Sequence, residues 1–173
     1  MNKYTFKSKL ENKINILVIG IGNIYRGDDG VGPFVARKLK EFVTEYVNII
    51  ENCNDSLKLI DLWKDTDYVI IVDAACSGAK PGTIYRFDAL KQPIPKNFFH
   101  FSTHSIGIAE LIELSRTLNK LPKYLVIYGI EGKGFEAGIG LSLEVEKAVQ
   151  EIVRFVKQDI ETITTEIHGI SLK

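Results

Sequence analysis

Cysteine is scarce in this chain. Cys53 and Cys76 are the only two in 173 residues, with no Cys-x-x-Cys spacing, so a cysteine-built zinc or redox motif is excluded. Count alone permits one disulfide; two buried, reduced thiols are the expectation for a chain with so few. Histidine is nearly as rare, at His100, His104 and His168, and no His-Glu-x-x-His occurs, which argues against a zincin-type metal helix. There is no Gly-x-Ser-x-Gly turn for a serine nucleophile. Neither sign of charge is in excess, with Lys+Arg 22 against Asp+Glu 22. A nucleic-acid binder or a protein drawn to anionic membrane would show a basic surplus. No apolar run approaches the roughly 18–20 residues that span a bilayer. The start MNKYTFKSKLENK lacks the apolar stretch of a signal peptide, so the cytoplasm is the expected location.

What is present is a short buried-strand pattern alternating with helical periodicity. Asn15–Gly20 (NILVIG), Val47–Ile50, Tyr68–Val72 (YVIIV), Thr83–Phe87 and Tyr124–Tyr128 (YLVIY) read as strands. The fourth is an edge candidate after the Pro81-Gly82 turn. Val31, Phe34, Val35, Lys38, Leu39 and Phe42 fall at helical spacing from Gly30. Helices are also expected around Leu57–Trp63, over Ser105–Leu118, and after Ser142, where Val145, Val149, Ile152, Val153 and Val156 form a stripe. Leu90–Ser102, with Pro93 and Pro95, reads as irregular. Gly129–Gly140 carries five glycines and reads as a loop. The sum is a three-layer α/β/α domain around a largely parallel sheet of about five strands. One domain is expected over 1–173: a core of about 14–157, an N-terminal arm 1–13 and a C-terminal extension 158–173, without strong pattern from Thr162 on.

In such sheets ligands collect beyond the C-terminal strand ends. Gly20-Ile21-Gly22 after the first strand, with Glu51 closing the second, invites a dinucleotide reading. Tyr25 replaces the third glycine, however, and Asp28-Asp29 would repel a pyrophosphate. A tight turn accounts for both glycines without a ligand. One aspartate of the Asp28-Asp29 pair suffices to cap the helix; Asp28 is assigned that structural role, and Asp29 is left to bind a cation or act as a base. Asp73, directly after YVIIV, is costly at the mouth of a sheet unless partnered. His100 and His104 are four apart, but the prolines and Ser102-Thr103 place His100 before the helix. His168 is expected to be exposed and idle. Two carboxylates and an imidazole make an incomplete shell of oxygen and nitrogen ligands. Zinc, nickel, copper and iron all suit imidazole, and positions stay open for water or a partner's ligands.

Read together, four segments resemble the hydrogenase maturation endopeptidases: ILVIGIGNIYRGDDGVGPFVARKL (Ile16–Leu39), VIIVDAACSG (Val69–Gly78), STHSIGIAELIEL (Ser102–Leu114) and IYGIEGKGFEAGIGLSLEVEKAV (Ile127–Val149). The resemblance covers roughly residues 14–157. Carried over by motif, it implies Asp29, Asp73 and His104 as the residues that meet a metal. Some members have Glu where Asp29 stands, and Phe135-Glu136 departs from many relatives. The implied metal is nickel carried by the substrate, the precursor of a hydrogenase large subunit, whose C-terminal extension is cut off once nickel is in place. The cut is implied to come from a nickel-polarised water or from a carboxylate base. Gly132–Gly140 stays open between a wall of the peptide groove and a plain loop. Two alternatives stand beside this one: a nickel-dependent checkpoint that binds without cutting, and a hydrolase with its own zinc.

Overall fold

In the computed structural model the described residues are 15–42, 46–51, 53, 56–96, 98–99 and 106–170. Five strands run in the order β2-β1-β3-β5-β4: β1 Ile16–Gly20, β2 Val47–Ile50, β3 Tyr68–Ala75, β4 Ile84–Asp88 and β5 Tyr124–Glu131. β1, β2, β3 and β5 are parallel, and β4 returns antiparallel along β5 at the edge. The central strands are continuous apolar runs because both of their faces are covered. On one face α1 (Val31–Lys40) and α4 (Leu143–Ile170) pack Val35, Leu39, Val149 and Ile152 against Val18, Ile70 and Val126. On the other face α2 (Ser56–Trp63) and α3 (Ile108–Thr117) bring Trp63, Leu111 and Ile112 onto Leu17, Val69 and Ile127. The architecture is therefore the α/β/α sandwich with a largely parallel sheet that the alternation implies.

β1 leads through α1 to β2 on one side, and β2 leads back through α2 to β3 on the other side of β1. The loops leaving β1 and β3 therefore diverge, and a crevice opens beyond their C-terminal ends. Two glycines let the chain close tightly there. Gly32, in the first turn of α1, approaches so near that an added Cβ would strike the carbonyl oxygens of Ile21 and Val72. Gly22 adopts φ +128 and presses on the Asp29 carbonyl, a combination open only to glycine.

Several boundaries differ from the sequence reading. β3 continues through Asp73 to Ala75, and β5 through Gly129 to Glu131, because these residues pair with one another in register. Gly129–Gly140 is thus strand at its start. The segment from Thr162 on, expected to lack strong pattern, continues α4 to Ile170. One turn after Asp159, Ile163 is still only 2% exposed and belongs to the same core. Arg86 of β4 fastens this helix: its guanidinium donates to both Asp159 carboxylate oxygens at 3.1 Å and to the Tyr124 hydroxyl at 3.0 Å. The Tyr128 hydroxyl donates to Asp159 at 2.8 Å. The expected helix start at Ser105 lies outside the described residues; α3 begins at Ile108 after Gly107. No helix among the described residues is long and apolar enough to cross a membrane.

If the end of α4 belongs to the core, Ile163→Ala lowers stability by about 2–4 kcal/mol, whereas the neighbouring exposed Thr162→Ala changes it by less than about 0.5 kcal/mol. Urea denaturation of the two variants measures the difference.

Candidate functional site

Three aspartates gather where α1 meets the ends of β1 and β3, and each is held differently. The loop from β1 turns at Asn23, whose side-chain Oδ1 accepts the Tyr25 N–H at 3.0 Å and whose carbonyl accepts the Arg26 N–H at 3.0 Å. A short 3-10 turn, Gly27–Gly30, then runs directly into α1. Asp29, 8% exposed, points back into its own loop and accepts the Asn23 backbone N–H at Oδ2, 3.0 Å.

Asp28 also turns inward, and it is structural as expected but with different partners. It makes no side-chain cap to its own helix. Oδ2 accepts the N–H groups of Lys133 (2.7 Å) and Gly134 (3.2 Å) and the Ser142 hydroxyl (2.9 Å). Oδ1 accepts the Ser142 N–H at 2.7 Å, on the residue before α4. The carboxylate thus serves the loop between β5 and α4. Gly27 N–H to the Gly138 carbonyl (3.0 Å) and Gly138 N–H to the Tyr25 carbonyl (3.0 Å) fasten that same loop. Gly132–Gly140 is accordingly a tethered wall beside the crevice. A continuous run of 3.6-residue periodicity cannot reveal such a partner, which lies more than a hundred residues away.

Asp73 sits in β3 opposite Gly129 of β5 and is 2% exposed. Its Oδ1 accepts the Ala74 N–H at 2.7 Å. Burial pushes its pKa well above the ordinary 3.8; the Ala74 N–H opposes the shift and the nearby Asp29 charge adds to it. Asp29 of the turn before α1 and Asp73 of β3 are therefore brought close enough to repel each other. His100 and His104 lie outside the described residues, and so does the pairing of either with the acids. His168 falls in α4, its side chain outside the described set. Among the described residues no group of three or more His, Cys, Asp and Glu side chains is placed to hold a metal ion.

Other sequence expectations resolve more simply. Neither cysteine forms a disulfide; Cys53 is buried as expected, but Cys76 is exposed, because it lies one residue past the end of β3 on the rim. Glu51 forms ion pairs with Arg37 (3.2 Å) and Lys40 (2.9 Å) at the surface, which lower its pKa; it is engaged with α1 in place of a ribose. The residue missed by sequence reasoning is Glu131. Buried at the end of β5, it accepts hydrogen bonds from the turn that follows β3. Its position among glycines gave no periodic signal.

Asp28→Ala leaves the Lys133, Gly134 and Ser142 N–H groups without their acceptor, and a stability loss of about 2–4 kcal/mol is expected, read by chemical denaturation. For Asp73 the folded state holds its proton to higher pH than the unfolded chain does. Stability therefore falls as pH rises from the ordinary 3.8 through the raised folded value. Asp73→Asn keeps an oxygen for the Ala74 N–H but does not titrate. The variant's Tm advantage over the parent should be larger at pH 8 than at pH 4; a constant difference would contradict the burial argument.

The comparisons with known proteins agree on one family. The family model for hydrogenase maturation protease (HycI) matches residues 33–159. A putative hydrogenase maturation protease of Methanocaldococcus jannaschii is 31% identical over 157 residues, 86% of this chain and 98% of that protein. The hydrogenase 2 maturation protease of Escherichia coli (strain K12) is 28% identical over 141 residues, 79% and 85% of the two chains. Among solved structures, the hydrogenase maturating endopeptidase HybD from E. coli superposes with a TM-score of 0.73 at 26% identity, covering 86% of this chain and 93% of that one. The [NiFe] hydrogenase maturation protease HycI from Thermococcus kodakarensis KOD1 gives 0.63 at 27% identity, with coverage of 86% and 93%. With the family model spanning most of the sheet and all four helices' layers, this chain belongs to the hydrogenase maturation protease family.

Proposed function

We propose that this protease removes the C-terminal extension of a nickel-containing hydrogenase large-subunit precursor after nickel insertion, and that Asp29, Asp73 and His104 engage the nickel carried by that substrate. The observation that carries the reading is the approach of Asp29 to a buried Asp73 whose pKa is pushed up. A like-charged pair at the open end of a parallel sheet is a poor structural device, but it becomes favourable when a divalent cation enters between the carboxylates. That the T. kodakarensis relative is a [NiFe] hydrogenase maturation protease supports nickel as that cation. His104 enters through the motif Ser102–Leu114, and its imidazole suits nickel.

Coupling recognition to a metal the substrate brings makes cleavage conditional on that metal. An empty precursor offers nothing to offset the repulsion between the acids. In the cut, the oxygen of water bonds to the scissile carbonyl carbon, the C–N bond breaks, and the departing amine gains a proton. A nickel-polarised water and a carboxylate base are both compatible with acids in this position.

The test is incubation with nickel-loaded and nickel-free precursor, followed by intact mass. Loss of a C-terminal peptide is expected only from the loaded form. Asp29→Ala and His104→Ala should each reduce the rate by at least about a hundredfold. Binding of the loaded precursor without any product would move the assignment to a checkpoint that does not cut.

A further inference from the structure

Glu131 is a buried acid, 2% exposed, outside the Asp29–Asp73 pair. It ends β5 opposite Ala75 of β3, and its side chain faces the turn that leaves β3. Oε1 accepts the backbone N–H groups of Ser77 (2.9 Å), Gly78 (2.8 Å) and Ala79 (3.2 Å). Oε2 accepts the Ser77 hydroxyl at 2.7 Å and shares the Ser77 N–H at 3.1 Å. The Ser77 hydroxyl proton is committed to Glu131, so its 2.9 Å contact with Tyr85 Oη is donated by the tyrosine. Three successive N–H groups curled around an anion form a nest, a concavity that commonly binds anions from solution. Here the anion comes from inside the protein.

The arrangement is unusual because the turn itself is exposed from Cys76 to Lys80. Gly78 has φ +84 with open space around it. Among the described residues the interior carboxylate gives this turn most of its hydrogen bonds, alongside the Phe98 carbonyl and the Tyr85 hydroxyl, and so holds one conformation, removing backbone freedom that a surface turn ordinarily keeps. The turn begins three residues after Asp73, on the same strand. Asp28 fixes the opposing wall by the same means, through Lys133 and Gly134, two and three residues beyond Glu131. The short segment 131–134 therefore braces both walls of the crevice that holds the working acids.

We propose that Glu131 is a positioning residue for precursor cleavage: by locking the Cys76–Ala79 turn from within, it presets a rigid wall against which the precursor's chain is aligned beside Asp73. The inference rests on the proposed function, since it presumes a polypeptide in the crevice.

The experiment compares Glu131→Ala, Glu131→Gln and Ala79→Pro in steady-state processing of nickel-loaded precursor, each assayed below its own Tm. Ala79→Pro removes one N–H donor on the exposed turn and spares the core, so it carries the test should Glu131→Ala not fold. KM should rise about tenfold or more for Glu131→Ala and by less for the other two, with kcat within about twofold, because the acids are untouched. Gln keeps one acceptor oxygen and should restore part of the loss. An unchanged KM in Glu131→Ala and Ala79→Pro, or a fall in kcat at constant KM, overturns the proposal. If the parent protein cuts no nickel-loaded precursor, the proposed function fails by itself. The Kd for that precursor then decides the role of Glu131: weakened about tenfold in Ala79→Pro or Glu131→Ala supports it, and unchanged overturns it.

Discussion

Burying one carboxyl group within reach of another is the constraint around which this fold is arranged. Asp73 loses its water in a strand covered on both faces, and Asp29 adds a like charge. Neither effect favours folding, so the surrounding structure has to impose the pair. It does so through contacts with no room for adjustment. Gly32 lets α1 begin directly over the ends of β1 and β3, and Gly22 folds the intervening loop onto Asp29. A side chain at either position would separate the acids and relieve the repulsion. The two hydrophobic layers supply the stability that tolerates it.

The adjacent residues Asp28 and Asp29 show how one dipeptide is divided. Both are buried and both accept backbone N–H groups. Asp28 satisfies three backbone donors and a hydroxyl of another segment, which commits it fully to structure. Asp29 accepts the Asn23 N–H within its own loop. Glu131 is likewise committed to a turn, while among the described residues Asp73 accepts the N–H of Ala74.

Most of the framework was legible because parallel strands buried on both faces leave continuous apolar runs, and YVIIV and YLVIY need no further context. The positions of Asp29 and Asp73 followed from where those runs stop. The length of α4 was not legible: Ile163 is one apolar residue in a polar stretch, and its burial depends on the distant partner it meets. The partners of Asp28 and the role of Glu131 were hidden for the same reason. Hydrogen bonds from a carboxylate to backbone N–H groups use atoms that every residue has, so they leave no trace in side-chain pattern. Cys76 was misplaced because strand-end residues alternate between core and rim within a single step. Function was named by motif resemblance; the physics of the residues reached only an unfinished metal shell.

The pairing of β1 with β3 aligns Ile16 with Tyr68, and the strand between them in sequence lies outside this pair. Asp29 and Asp73 are neighbours only once that long-range pairing has formed, since Asp29 follows β1 and Asp73 lies within β3. No shorter piece of the chain contains both acids in register. During synthesis, which proceeds from the N-terminus, the Asp29 loop emerges first, before β3 has been made and docked. The two carboxylates meet only in a chain that has already folded this far, so a growing or partly unfolded chain does not yet hold them together.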